Sequence, residues 1–126
     1  MKLRIKGDSL RLRISPSEMA RLMESGRIEE TIHLGAGDDA RLSYALEVSA
    51  TATQTSVRYQ PREIAGILPA AVARPWAAGS DVGIYASVPL SAGVLEVAVE
   101  KDFACLDTNA AENRDKFPNP REGRKC

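Results

Sequence analysis

Leu10-Arg11-Leu12-Arg13-Ile14-Ser15-Pro16-Ser17-Glu18-Met19 contains the change of period on which the reading of the fold turns. Through Ile14 apolar and basic residues alternate, the two-residue repeat of a strand with one buried and one wet face. Ser15 then supplies a helix-capping hydroxyl, Pro16 a pre-set first helical position and Glu18 the carboxylate of a capping box. A short helix is expected to follow, with Met19, Leu22 and Met23 on one face and Gly26 as its left-handed end. Upstream, Leu3 and Ile5 alternate with Lys2, Arg4 and Lys6, and Gly7-Asp8-Ser9 turns the chain, so a β-hairpin precedes the helix. Downstream, Ile28, Ile32 and Leu34, then Leu42, Tyr44, Leu46 and Val48, mark a second hairpin around Gly35-Ala36-Gly37-Asp38-Asp39. Residues 2–49 thus read as a ββαββ unit.

The same order recurs over residues 55–103. Laid without a gap so that Ile14 meets Ile67, the chain also matches Pro16 with Pro69, Ala20 with Ala73, Arg21 with Arg74, Gly26 with Gly79, Leu42 with Leu95, Ala45 with Ala98 and Glu47 with Glu100. Val57 and Tyr59 flank Arg58, Gln60-Pro61-Arg62 turns, and Glu63–Leu68 reads as a strand. Pro69 opens a helix that places Val72 and Trp76 where Met19 and Met23 stand, and Gly79 closes it. Pro75 inside this helix should kink or shorten it. The last hairpin runs from Val82–Val88 through Pro89–Gly93 to Leu95, Val97 and Val99. The ungapped match breaks at one place, setting Ile28 and Ile32 against Asp81 and Tyr85, while Val82, Ile84, Ala86 and Val88 form the apolar set. A small insertion or bulge is therefore expected after Gly79.

The fold class that follows is α+β: an internally duplicated ββαββ with about eight mainly antiparallel strands and two short helices. It forms either one curved sheet beneath the helices or a closed barrel. Residues 1–103 make one domain, with copies at 2–49 and 55–103, and residues 104–126 an extended tail held at its start by Phe103, Leu106 and Phe117.

Composition removes whole classes of function. The 126 residues carry 17 Lys+Arg against 17 Asp+Glu, which gives no bulk attraction for nucleic acid or anionic lipid. Aromatic residues are 5% of the chain, too few for a base-stacking platform, so nucleic acid is disfavoured as a partner. No apolar run reaches the roughly 18–20 residues of a membrane span. The opening Met1–Lys6 lacks the apolar stretch of a secretory signal, so a cytoplasmic location is expected.

Three constellations could carry chemistry. His33, Asp102, Cys105 and Asp107 offer soft and hard metal ligands, although none is paired at the two-to-four-residue spacing of a structural zinc site. Gly35-Ala36-Gly37-Asp38-Asp39 lies between two strands, where a hairpin turn is expected and not a phosphate loop opening onto a helix. Arg11, Arg13, Arg41 and Arg58 share the wet strand parity with Glu47 and Glu100. On an open sheet they form a solvated, ion-paired face. In a closed barrel they would line a tunnel able to grip a phosphate-rich small anion, with the glutamates holding a divalent metal. Such a lining is similar to that of the triphosphate tunnel enzymes, but the paired-Glu motif followed by Lys that opens those proteins is missing from this N-terminus. No cofactor is otherwise implied. A binding or protein-interaction module is the leading reading, with a protein partner or a second copy of the chain at an exposed sheet edge or at the tail.

Met1-Lys2-Leu3-Arg4-Ile5-Lys6-Gly7-Asp8-Ser9-Leu10-Arg11-Leu12-Arg13, with Glu100-Lys101-Asp102-Phe103-Ala104-Cys105-Leu106-Asp107 and Phe117-Pro118-Asn119-Pro120, resembles a family of small bacterial proteins of unknown function. The resemblance implies a bacterial, cytosolic, single-domain protein and assigns no activity to any residue.

Overall fold

A computed structural model describes residues 1–104 and 115–118. The first half contributes β1 (Lys2–Lys6), β2 (Ser9–Ile14), α1 (Pro16–Ser25), β3 (Arg27–His33) and β4 (Arg41–Ser49). The second contributes β5 (Ser56–Gln60), β6 (Glu63–Pro69), α2 (Ala70–Ala78), β7 (Gly83–Leu90) and β8 (Gly93–Lys101). The capping box forms as its spacing predicts: Ser15 Oγ accepts from the Glu18 amide at 3.3 Å, and Glu18 Oε1 accepts from the Ser15 amide at 2.9 Å. Gly26 ends α1 with φ 81°, a left-handed conformation that glycine adopts without strain. Glu18 also binds the N-terminal ammonium of Met1. Burial works to raise the Glu18 pKa, but that ammonium and the Ser15 amide together hold it below the usual carboxylate range.

The strands form two four-stranded sheets, ordered β1-β2-β8-β7 and β3-β4-β6-β5. Each consists of two antiparallel hairpins joined along a parallel seam, β2 with β8 in the first and β4 with β6 in the second. Pairing is mainly antiparallel, as expected, but the division into two sheets corrects the expectation of one curved sheet or barrel. Alternation reports that a strand buries one face and leaves open which strand lies beside it. Each sheet takes one hairpin from each half of the chain, and interchanging the halves carries one strand order onto the other.

The sheets pack face to face. Leu12, Ile14, Val97, Val99 and Ile84 from the first meet Leu46, Leu68 and Ile28 from the second, joined by Met19, Leu22, Ala73 and Trp76 from the helices. Gly66 leaves room for two of these side chains: a Cβ there would lie 3.2 Å from Leu46 Cδ1 beside it and 3.3 Å from Leu12 Cδ1 of the other sheet. Because β2 and β8 run in the same direction, as do β4 and β6, all four hairpin turns lie at one end of the sandwich and both helices at the other.

Pairing register refines the match between halves. Glu100 stands opposite Arg13 and Glu47 opposite Ile67, so with Glu47 matched to Glu100 it is Ile67 that occupies the place of Arg13. The identity between Ile14 and Ile67 is thus off by one, and the same offset carries into the helix. There α2 buries Ala73 and Trp76 where α1 buries Met19 and Leu22, and the expected Val72 is 43% exposed. The Pro75 helix is 9 residues long against 10 for α1. Ile28 and Ile84 are both inward, as the expected insertion after Gly79 requires. The tail returns to the helix end of the sandwich: Phe117 pairs with Phe103, their rings 5.8 Å apart edge to face, and Asp115 accepts from the Ser17 hydroxyl at 2.6 Å. Leu106 lies outside the described residues.

Leu12 and Ile5 share the inward parity, but Leu12 is 1% exposed and Ile5 57%. Leu12→Ala is expected to cost about 2–5 kcal/mol in urea unfolding, and Ile5→Ala no more than about 0.5 kcal/mol.

Candidate functional site

With the interior filled by apolar side chains, Arg11, Arg13, Arg41, Arg58, Glu47 and Glu100 all lie on outward faces, and no charged tunnel forms. They fall into three places. Arg41 is at the β3–β4 turn, its guanidinium donating to the Asp38 carbonyl. Arg58 and Glu47 are on the outer face of the second sheet, and Arg11, Arg13 and Glu100 on that of the first.

The second sheet carries a closed ring. Arg58 on edge strand β5 reaches over β6 to Glu47 on β4, at 3.1 Å and 2.6 Å, and touches Glu63 at 3.0 Å. From the opposite edge, Arg27 on β3 binds Glu47, reaches Glu63 at 3.4 Å and takes Glu29 at 2.9 Å. Ala45 and Ala65, paired in register at the centre of this face, are fully buried beneath the crossing arms. Hydrogen bonds from Arg58, opposed by burial and aided by the charge of Arg27, hold the Glu47 carboxyl below the usual range, while both guanidiniums are pushed up. Every member has an opposite charge as its partner, so the ring ties four strands together and leaves no group free for a ligand.

The first sheet differs. Register sets Lys2 opposite Arg13 and Arg4 opposite Arg11, two like-charged pairs side by side on an exposed face. Glu100 answers part of this charge, its Oε1 lying 3.2 Å from Arg11 Nε and 3.6 Å from Arg13 Nε, while the Tyr85 hydroxyl donates to its Oε2 at 2.7 Å. Gly83 makes room: a Cβ there would lie 2.9 Å from Glu100 Cγ and 2.8 Å from the Val99 carbonyl. Lys2 pairs with Asp102 at 3.0 Å. Among the described residues Arg4 and Lys6 have no carboxylate within 4.0 Å. Lys2, Leu3, Arg4, Arg11 and Arg13 line a shallow cleft of about 180 Å³, below the roughly 300–1,000 Å³ of a drug-sized ligand site.

The metal set does not assemble. His33 is exposed near the hairpin end and Asp102 is buried at the helix end, held by Lys2. Cys105 and Asp107 lie outside the described residues, and among the described residues no three His, Cys, Asp or Glu side chains are grouped for a metal. The reading of candidates from sequence omitted Tyr85 and Glu63. Tyr85 was legible once Ile84 and Ala86 were set inward. Glu63 was not, because only the β4–β6 seam brings it near Arg27.

Glu47, with its lowered pKa, contributes stability that is fully present above the ordinary carboxylate range and is lost as pH falls through its folded value. Glu47→Gln is expected to cost about 1–2 kcal/mol at pH 7. Its urea midpoint should fall less steeply with acid, so that the two stability curves approach each other near pH 3. Parallel curves from pH 7 to 3 would show that the ring contributes nothing through this carboxylate.

No helix among the described residues is long and apolar enough to cross a membrane. No curated protein and no solved structure matches the chain. A family model described as a family of unknown function, DUF7009, matches residues 1–121, and the chain belongs to that family.

Proposed function

We propose that the protein is a small, non-catalytic binding module that takes an extended acidic segment of a protein partner along edge strand β1. The carrying observation is the register that sets Lys2 opposite Arg13 and Arg4 opposite Arg11, on an exposed face beside an edge with which no other described strand pairs. Like charges set directly opposite each other destabilise a sheet, so an arrangement that keeps them is best explained by an anionic partner. The two-residue turn at Gly7-Asp8 makes Lys6 and Ser9 a hydrogen-bonded pair, which directs the backbone groups of Leu3 and Ile5 to the open edge. A strand added there would place its own outward residues beside Lys2, Arg4 and Lys6, so alternate Asp or Glu would meet the unneutralised charge. Self-pairing through β1 would instead bring basic residues of two copies together. A bacterial, cytosolic setting, implied by the sequence resemblance, belongs to the same reading. So does an origin of the two ββαββ halves by duplication, which is supported by the interchangeable strand orders and by Glu47 and Glu100 occupying matching places.

The test is fluorescence anisotropy with a labelled peptide that alternates Glu with Val or Thr. Micromolar binding is expected, weakening as salt rises. Arg4→Glu with Arg11→Glu should lower affinity at least about tenfold with the far-UV spectrum unchanged. A peptide N-methylated on its pairing edge should also bind more weakly. Equal binding of the N-methylated peptide would overturn the edge docking. No peptide binding together with saturable binding of inorganic triphosphate would replace this reading by a small-anion site in the Arg4–Arg11 cleft.

A further inference from the structure

The hairpins are of unequal length. β3–β4 and β7–β8 contain strands of 7, 9, 8 and 9 residues, and β1–β2 and β5–β6 strands of 5, 6, 5 and 7. All turn at the same end, so the two long hairpins project as arms beyond the two short ones. β5 touches β7 across the sandwich and the Met1 ammonium, just before β1, lies 2.9 Å from Glu30 on β3, so each arm stands beside a short hairpin of the other sheet. Beyond the short turns the inward faces of the arms are left exposed among the described residues. Leu34 is 67% exposed there and Leu90 46%, each just past the reach of its short neighbour, while Ile5 and Tyr59 at the short turns are 57% and 75% exposed. Interchanging the halves exchanges Leu34 with Leu90 and Ile5 with Tyr59. The mouth is therefore an apolar rim in which two arms alternate with two notches.

We propose that a second copy of this chain docks end-on at this mouth, its arms entering the notches of the first and burying Leu34, Leu90, Ile5 and Tyr59 of both. Shape selects this occupant, because a ring of alternating arms and notches is complementary to a turned copy of itself. Charge agrees. The β3–β4 arm ends in Asp38 and Asp39, whereas the short hairpins carry Arg62 at one turn and Lys6 beside Asp8 at the other. Within one chain Arg62 already approaches Asp39 at 3.8 Å. The β7–β8 arm, from Val82 to Leu95, has no charged residue that an apolar interface would strand. The inference does not rest on peptide binding at β1, although Ile5 and Lys6, at the turn end of that strand, belong to both surfaces.

Sedimentation equilibrium of the full chain between 5 and 200 µM tests it. A mass of two chains is expected at the upper end, and Leu34→Glu with Leu90→Glu should return a monomer with unchanged far-UV spectrum and melting temperature. Asp38→Lys with Asp39→Lys should weaken the dimer at least tenfold, and adding Lys6→Glu and Arg62→Glu should restore it. A wild-type monomer at 200 µM overturns the proposal. A dimer that survives the Leu34, Leu90 double variant overturns it equally, since the copies then meet elsewhere.

Discussion

Two parallel seams hold this architecture together. β2 lies beside β8 and β4 beside β6, and in each case the neighbours come from opposite halves of the chain. Neither half can build a sheet of more than one hairpin alone, and a lone two-stranded hairpin is marginal in water. The apolar faces are satisfied only when both seams close and bring Leu12 against the Gly66 and Leu46 region. Each helix then lies between the strand of one sheet that it leaves and the strand of the other that it enters, and α1 packs on α2 to seal that end. The β2–β8 seam joins nearly the two ends of the described domain, so closing it costs a large loop-closure entropy that its contacts must repay.

On this shared scaffold the two outward faces treat charge differently. Glu47 and Glu100 stand at matching places on central strands. Glu47 receives an arginine from each edge strand, Arg27 from β3 and Arg58 from β5, and the arms cross over two alanines to close the ring. At the places that match Arg27 and Arg58 stand Gly83 on β7 and Arg4 on β1, and Arg4 does not reach Glu100. Glu100 is served instead by Arg11 and Arg13 from the adjacent strand and by the Tyr85 hydroxyl, while Arg4 and Lys6 have no carboxylate within 4.0 Å among the described residues. One face closes its charge within the sheet, and the other leaves Arg4 and Lys6 without a carboxylate partner among the described residues.

The helix end and the hairpin end also differ in how completely they bury apolar surface. At the helix end Ile14, Leu22, Leu68 and Trp76 are almost wholly enclosed, and the Phe103–Phe117 pair adds a cover beside Lys101, whose ammonium stands 5.5 Å from the Phe117 ring. At the hairpin end, among the described residues, unequal strand lengths leave the inward-facing Ile5, Leu34, Tyr59 and Leu90 exposed. Apolar surface gathered at one end by all four hairpins, and not scattered singly, is the kind that marks an interaction site.

The sequence by itself determined the elements of this protein: the hairpin turns at Gly7 and at Gly35–Asp39, the capped helix from Ser15 to Gly26, and the inward and outward parity of most strands. These are local properties, dictated by a cap hydroxyl, a glycine that tolerates positive φ and a two-residue repeat of burial. The family resemblance was likewise legible from residues alone. Tertiary structure alone decided that β2 lies parallel to β8, that Ala73 and not Val72 faces the core, and that His33 and Asp102 stand at opposite ends. It also decided that Arg11 and Arg58 serve different sheets. The reason is that alternation records how many faces a strand buries, whereas strand neighbours are chosen by pairing between distant segments. A one-residue offset in that pairing moves every side chain to the other face without changing the composition of either strand.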